Sequence, residues 1–137
     1  MHRSPERRIT VVLADDQHAI IDALTTLFAD QPDIEVLGAG HNAEEALRLC
    51  IQHEPDVAVL DVRMPQGGGA VAAMEIRSRG LPTRVVALSA FDDNTTRDHM
   101  MAAGAVSYVL KDRPVGELLE AIRQAAGRRS PGEDVAG

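Results

Sequence analysis

The sequence predicts an α/β fold, a doubly wound five-stranded parallel sheet built from five βα units. Three observations carry this. Short runs of Val, Ile, Leu and Ala recur at 9–14, 34–39, 56–60, 84–88 and 105–110. They are continuous rather than alternating, as in strands covered on both faces. Segments with helical spacing separate them, and repeated βα units imply right-handed crossovers with helices on both faces. Every strand then delivers its carboxyl end to one edge.

Ile9-Thr10-Val11-Val12-Leu13-Ala14 is the first strand, and Ile20, Leu24 and Leu27 stripe the first helix, with Ile21 and Phe28 widening the stripe. After the second strand, Asn42 with Glu45 three residues on fits a helix start with a reciprocal acidic partner. Ala43, Ala46, Leu47, Cys50 and Ile51 form the stripe that follows. Val71, Met74 and Ile76 mark the third helix, Met100 and Met101 the fourth, the pair expected beneath it rather than on a partner surface, with both roles open to it. Val115, Leu118, Leu119 and Ile122 mark the fifth, and Pro114 suits its first turn. Gly80, Gly104 and Gly127 each follow a helical stretch and suit the left-handed cap conformation. Residues 1–8 read as a disordered lead, 9–127 as the domain, and 128–137 as a linker or tail leading toward an output domain.

Composition narrows the function. A chain of 137 residues is one domain and buries roughly two-thirds of its unfolded surface. The net charge of −7, with basic residues scattered, makes this segment a poor binder of nucleic acid. With no Trp, one Tyr and two Phe, it also lacks platforms for stacking bases. One cysteine, Cys50, excludes an internal disulfide and a paired-cysteine metal site, and it reads as a buried structural thiol. No apolar stretch approaches membrane-spanning length and the polar start does not read as a signal peptide, so the expected location is the cytoplasm.

The chemistry collects behind the strands. Asp15 and Asp16 follow the first run, Asp61 follows Asp56-Val57-Ala58-Val59-Leu60, and Lys111, the one lysine among fourteen Lys and Arg, follows Val106-Ser107-Tyr108-Val109-Leu110. Ligand sites of α/β sheets lie at strand carboxyl ends. Crowded carboxylates repel unless a cation joins them. Oxygen ligands without His or Cys favour a hard ion such as Mg²⁺. Ser89 puts a hydroxyl at the end of the fourth strand. Carboxylate, metal, lysine and hydroxyl together suit phosphoryl transfer to a carboxylate nucleophile.

These residues resemble the receiver domain of two-component response regulators, from about residue 8 to 127. The match comprises Asp15-Asp16, Asp61 with Met64-Pro65 and Gly69 after it, Ser89-Ala90, and Tyr108 three residues before Lys111. The resemblance implies a flavodoxin- and CheY-like fold and a signalling domain rather than an enzyme, one that assists its own phosphorylation and dephosphorylation. It makes Asp61 the phosphoacceptor. Asp16 would bind Mg²⁺ directly, Asp15 largely through water, and the backbone carbonyl of Arg63 would complete the protein ligands. Lys111 and Ser89 would contact the phosphoryl group, and Tyr108 would be a switch aromatic that follows Ser89. The implied partner is a sensor histidine kinase. The implied response is a changed surface on the fourth helix, fifth strand and fifth helix, open to homodimerisation, with neither nucleic acid nor membrane bound by this segment. Lys111-Asp112 and the Leu-rich last helix resemble receivers of the NarL/FixJ branch, which carry LuxR-type helix-turn-helix output domains.

Asp112 stands where many receivers have proline, and a cis bond before a non-proline residue costs ~2.5–4 kcal/mol, so that peptide's geometry stays open. Arg63 and Phe91 occupy positions that in this family affect phosphate lifetime, with simple surface packing an equal alternative. Gly67-Gly68-Gly69 lacks the continuation of a phosphate-binding loop and reads as a flexible loop. His18, close to the acidic pair, reads as a helix-start polar residue rather than a metal ligand, since Mg²⁺ prefers oxygen, and His41, His53 and His99 read as loop or surface residues. Alternatives remain: a stand-alone receiver acting through protein contacts, a Mg²⁺-dependent phosphohydrolase with an aspartate nucleophile, and a flavin-mononucleotide module. The hydrolase wants an acid where Arg63 stands, and the flavin module wants Ser, Thr and Gly where Asp15 and Asp16 stand.

Overall fold

Residues 7–128 are described by the computed structural model of the chain. The elements alternate strictly: β1 (Ile9–Ala14), α1 (His18–Ala29), β2 (Ile34–Gly40), α2 (Ala43–His53), β3 (Val57–Asp61), α3 (Gly68–Ser78), β4 (Arg84–Ser89), α4 (Asn94–Ala103), β5 (Ala105–Leu110) and α5 (Val115–Ala125). The strands form one parallel sheet in the order β2-β1-β3-β4-β5. The strand order reverses direction beside β1 and β3, where a ligand crevice opens in such sheets. Expected and observed strands agree to within a residue at each end.

The two sheet faces carry different side chains. Ile9, Val11, Leu13, Val57, Val59, Val86 and Leu88 meet α1 and α5 through Ile21, Phe28, Leu118, Leu119 and Ile122. The opposite face presents Val12, Ala14, Ala58, Leu60, Val85, Ala87 and Ala105. Its small residues let α2, α3 and α4 approach through Ala43, Ala46, Cys50, Ala70, Ala72, Ala73, Ile76, Met100 and Ala103. Cys50 is fully buried there, and burial pushes its thiol up to about 12.

Several helix faces differ from expectation. In α1, Ile21 and Phe28 are the buried residues, while Leu27 is exposed. In α3, Val71 and Met74 face outward and the alanines with Ile76 face the sheet. Met100 is buried as expected, but Met101 and Ile51 are exposed. Where alanine-rich faces pack closely, larger apolar residues are left for solvent, so size misleads about direction. Pro114 sits at the N-cap, one residue before α5. Gly68 and Gly69 are no flexible loop: they begin α3 and are buried.

Caps follow the sequence closely. Asn42 accepts from Glu45 N at 2.8 Å, and the Glu45 carboxylate reaches back to His41 N at 2.8 Å, one residue earlier than the usual reciprocal partner. Gly80, Gly104 and Gly127 all take positive φ after their helices. Far from the strand carboxyl ends, the buried Arg123 of α5 grips Asp33 at 2.8 and 3.0 Å and Gln31 at 2.9 Å. Arg7 and Arg8, expected in the lead, already pair with Asp56 and Glu35 at 3.1 and 3.6 Å. The rest of the lead and the tail from residue 129 lie outside the described residues. No helix of the described residues is long and apolar enough to cross a membrane.

Candidate functional site

The carboxyl ends of β1, β3, β4 and β5 bring together the residues that the sequence singled out. Asp15 follows β1 and is buried, its N–H bonded to Gly40 O at 3.1 Å. Its Oδ1 accepts from Gln17 N at 2.9 Å, turning the chain into α1. Asp16, between them, is exposed. Asp61 is the last residue of β3 and is buried. Lys111 Nζ lies 2.8 Å from Asp15 Oδ2 and 3.3 Å from Asp61 Oδ1. Its backbone is fixed by Lys111 N donating to Ser89 O at 2.7 Å. The Lys111-Asp112 peptide, left open by the sequence, is trans.

Charge follows from this crowding. Burial, and after it the Asp15 carboxylate, push the Asp61 carboxyl up to about 6, while Lys111 and the Arg63 backbone N–H pull it down. Burial also opposes the charge on Lys111, but its contacts with Asp15 and Asp61 outweigh this and hold its pKa above the ordinary lysine value.

The donor set fits a hard divalent cation. Asp15, Asp16 and Asp61 each offer a carboxylate oxygen, and these atoms lie within 4.8 Å of one another. Asp15 Oδ2 is buried, and beyond its ion pair with Lys111 it has no hydrogen bond of good geometry among the described residues. All-oxygen donors of mixed exposure suit Mg²⁺ with several retained waters.

Ser89 is wholly buried and engaged locally: its Oγ accepts from Phe91 N at 2.9 Å and donates to Phe91 O at 3.2 Å. Tyr108 OH donates to the same carbonyl at 2.7 Å. The serine and tyrosine singled out in the sequence thus share one acceptor. The Arg97 guanidinium lies 4.6 Å from the Tyr108 ring centre, and that of Arg63 lies 4.0 Å from the Phe91 ring. The glycines after Asp61 hold a close approach: a Cβ on Gly69 would lie 2.7 Å from Asp61 O.

One feature of the rim carried no signal in the sequence. His18 and His41 stack with ring centres 4.1 Å apart and an interplanar angle of 18°. They begin α1 and follow β2 respectively, and nothing in their spacing links them.

Residues 11–123 match the response regulator receiver domain family. The chain belongs to that family. The receiver is similar to YvfU, a transcriptional regulatory protein of Bacillus subtilis, with 34% identity covering 88% of this chain and 61% of YvfU. The oxygen regulatory protein NreC of Staphylococcus epidermidis is 33% identical, over 82% of this chain and 52% of NreC. Among solved structures, the signal receiver domain of NarL from Mycobacterium tuberculosis superposes with a TM-score of 0.86 at 33% identity, covering 90% of this chain and all of that one. A LuxR-family DNA-binding response regulator from Staphylococcus aureus gives 0.81 at 28% identity, covering 86% of this chain and 98% of that one. These similarities align the receiver with the NarL/FixJ branch. The chain spans 61% and 52% of the two curated relatives.

Proposed function

We propose that this receiver accepts a phosphoryl group from a histidine kinase on Asp61 and relays the change to a DNA-binding output domain. The observation that carries this reading is Lys111 held between Asp15 and Asp61, at 2.8 and 3.3 Å, beside a cluster of three carboxylates. Asp15, Asp16, Asp61 and the Arg63 carbonyl would hold Mg²⁺. When bound there, Mg²⁺ supplies positive charge to the transferring phosphoryl oxygens.

The chain's own residues do the rest. A carboxylate oxygen of Asp61 attacks the phosphorus of the kinase phosphohistidine. The new P–O bond forms as the P–N bond breaks, and the electron pair stays on the imidazole nitrogen. With a pKa of about 6, Asp61 is largely ionised at neutral pH and able to attack. Lys111 is fixed against Asp15 and Ser89 O, so it meets developing charge without reorganising.

The product adds charge to a site with fixed donors. Drawing Ser89 Oγ toward the phosphoryl group removes its bonds to Phe91, whose carbonyl also anchors Tyr108. The surface of α4, β5 and α5 then changes, which suits a new homodimer contact or release of an output domain. The length of the curated relatives beyond the matched region supports an output domain.

Intact mass after incubation with acetyl phosphate and Mg²⁺ tests the reading. The expected result is a gain of one phosphoryl group, absent in Asp61→Asn and in wild type with a chelator. A folded wild type that gains no mass would replace this reading with a receiver regulated by partner binding alone.

A further inference from the structure

We infer that the stacked His18–His41 pair is a positioning device for Asp16, holding the acidic loop in the geometry that binds the divalent cation. This rests on the proposed metal site. Asp15 and Asp61 are buried and anchored by Lys111. Asp16 is exposed, with neither a hydrogen bond nor an ion pair among the described residues. Its direction is therefore set by the backbone on either side.

That backbone is braced internally by Gln17 N donating to Asp15 Oδ1 at 2.9 Å, and it is fastened at two points to the end of β2 and the residue after it. On one side Asp15 N bonds to Gly40 O, the last residue of β2. On the other, His18 lies against the ring of His41, the residue after Gly40. Residues 15–18 thus form a short strap whose two ends are fixed to consecutive residues of one neighbouring segment, with Asp16 between them.

The far ring is itself well held. His41 N donates to Glu45 Oε1 at 2.8 Å, and His41 Nδ1 lies 3.4 Å from the same oxygen. Asn42 caps α2 at Glu45 N, and Ala43 N donates to Pro65 O at 3.2 Å. The platform that carries His41 therefore also touches the loop after Asp61, which includes Arg63. Through Ala43, the stack connects the loop that carries Asp16 to the loop after Asp61.

The near-parallel rings are suited to stacking rather than to joint coordination of one ion. Their function then depends on a flat ring and not on an imidazole nitrogen. Removing a ring loosens Asp16, whereas replacing it with another flat ring keeps Asp16 in place.

Calorimetric titration of the whole chain with Mg²⁺ at a fixed, mildly alkaline pH provides the test. His18→Ala and His41→Ala are expected to weaken Mg²⁺ binding by roughly three- to tenfold, the worth of an aromatic pair. The double alanine variant is expected to be no weaker than either single one, and His18→Phe to bind within about twofold of wild type. Acetyl phosphate labelling should require correspondingly more Mg²⁺ in the alanine variants than in wild type or His18→Phe. Alanine variants that bind like wild type, or a phenylalanine variant as weak as alanine, would overturn the positioning role. A wild type that binds no Mg²⁺ would overturn the metal site itself, and Asp16→Asn gives the reference for a lost ligand. His18 is exposed and His41 half-buried; thermal melts in chelator separate loss of fold from loss of binding.

Discussion

Two glycines near helix N-termini show how a single Cβ has opposite consequences at two places in one fold. Gly69 and Gly116 both lie in first turns, where alanine normally gains up to about 1 kcal/mol over glycine. At Gly116 an added Cβ meets nothing within 4 Å. At Gly69 it meets Asp61 O at 2.7 Å and Met100 Cε at 3.4 Å. The first obstacle is backbone, which a rotamer change cannot move. Gly116→Ala is therefore expected to raise stability by a few tenths to about 1 kcal/mol. Gly69→Ala should cost about 1–3 kcal/mol, as overpacking does, and slow labelling of Asp61 because the strand end must shift. Urea denaturation of the two variants checks the signs, and equal effects would contradict the close approach.

Among the elements, strands were more legible than helix faces. A continuous apolar run has few alternatives once it is bracketed by turns, and its end fixes the strand limit. That is also why Asp15, Asp61, Ser89 and Lys111 were identifiable: each stands at or just after the end of such a run. Helical periodicity tells which residues share a stripe but not which of two adjacent stripes meets the sheet. In α3 the alanines face the sheet, whose opposing face carries Ala14, Ala58, Ala87 and Ala105 beside Val12, Leu60 and Val85. Contacts between distant segments left no trace, as with His18 and His41, or Arg123 and Asp33. The last pair ties α5 to the turn before β2, and its energetics have a definite pH dependence. The hydrogen bond from Arg123 is the main influence on Asp33, and despite opposing burial its pKa falls below the usual carboxylate range. An acid with a depressed folded pKa contributes stability above its unfolded pKa and loses it as pH falls through the folded one. Asp33→Asn should therefore cost about 1–3 kcal/mol at neutral pH, less than a fully buried pair because Asp33 is partly exposed. Wild type and variant should converge as pH drops below about 4. A constant difference across that range would mean that the bond matters by shape and not by charge.

For the molecule as a whole, the parallel topology that assembles the site also concentrates unfavourable charge at one edge. Asp61 shows the cost most clearly, since its folded pKa lies near 6 against an ordinary value of 3.8. The sign here is opposite to that of Asp33. An acid whose folded pKa is raised carries no penalty below its unfolded pKa, a growing penalty between the two values, and the full penalty above the folded one. Removing the charge should thus stabilise the metal-free fold. Lys111 retains its 2.8 Å contact with Asp15 in Asp61→Asn, so the substitution does not strand the ammonium. In chelator, the variant and wild type should unfold alike near pH 4, diverge as pH rises toward 6, and then differ by on the order of 3 kcal/mol. Mg²⁺ should reverse the order. It binds the folded wild type and raises its melting temperature with concentration, while Asp61→Asn, lacking one ligand carboxylate, responds weakly. Urea titrations across pH, with and without Mg²⁺, measure both arms. An Asp61→Asn variant less stable than wild type in chelator at neutral pH would mean that Lys111 and the Arg63 N–H already compensate the carboxylate, leaving little unrelieved repulsion for a cation to remove.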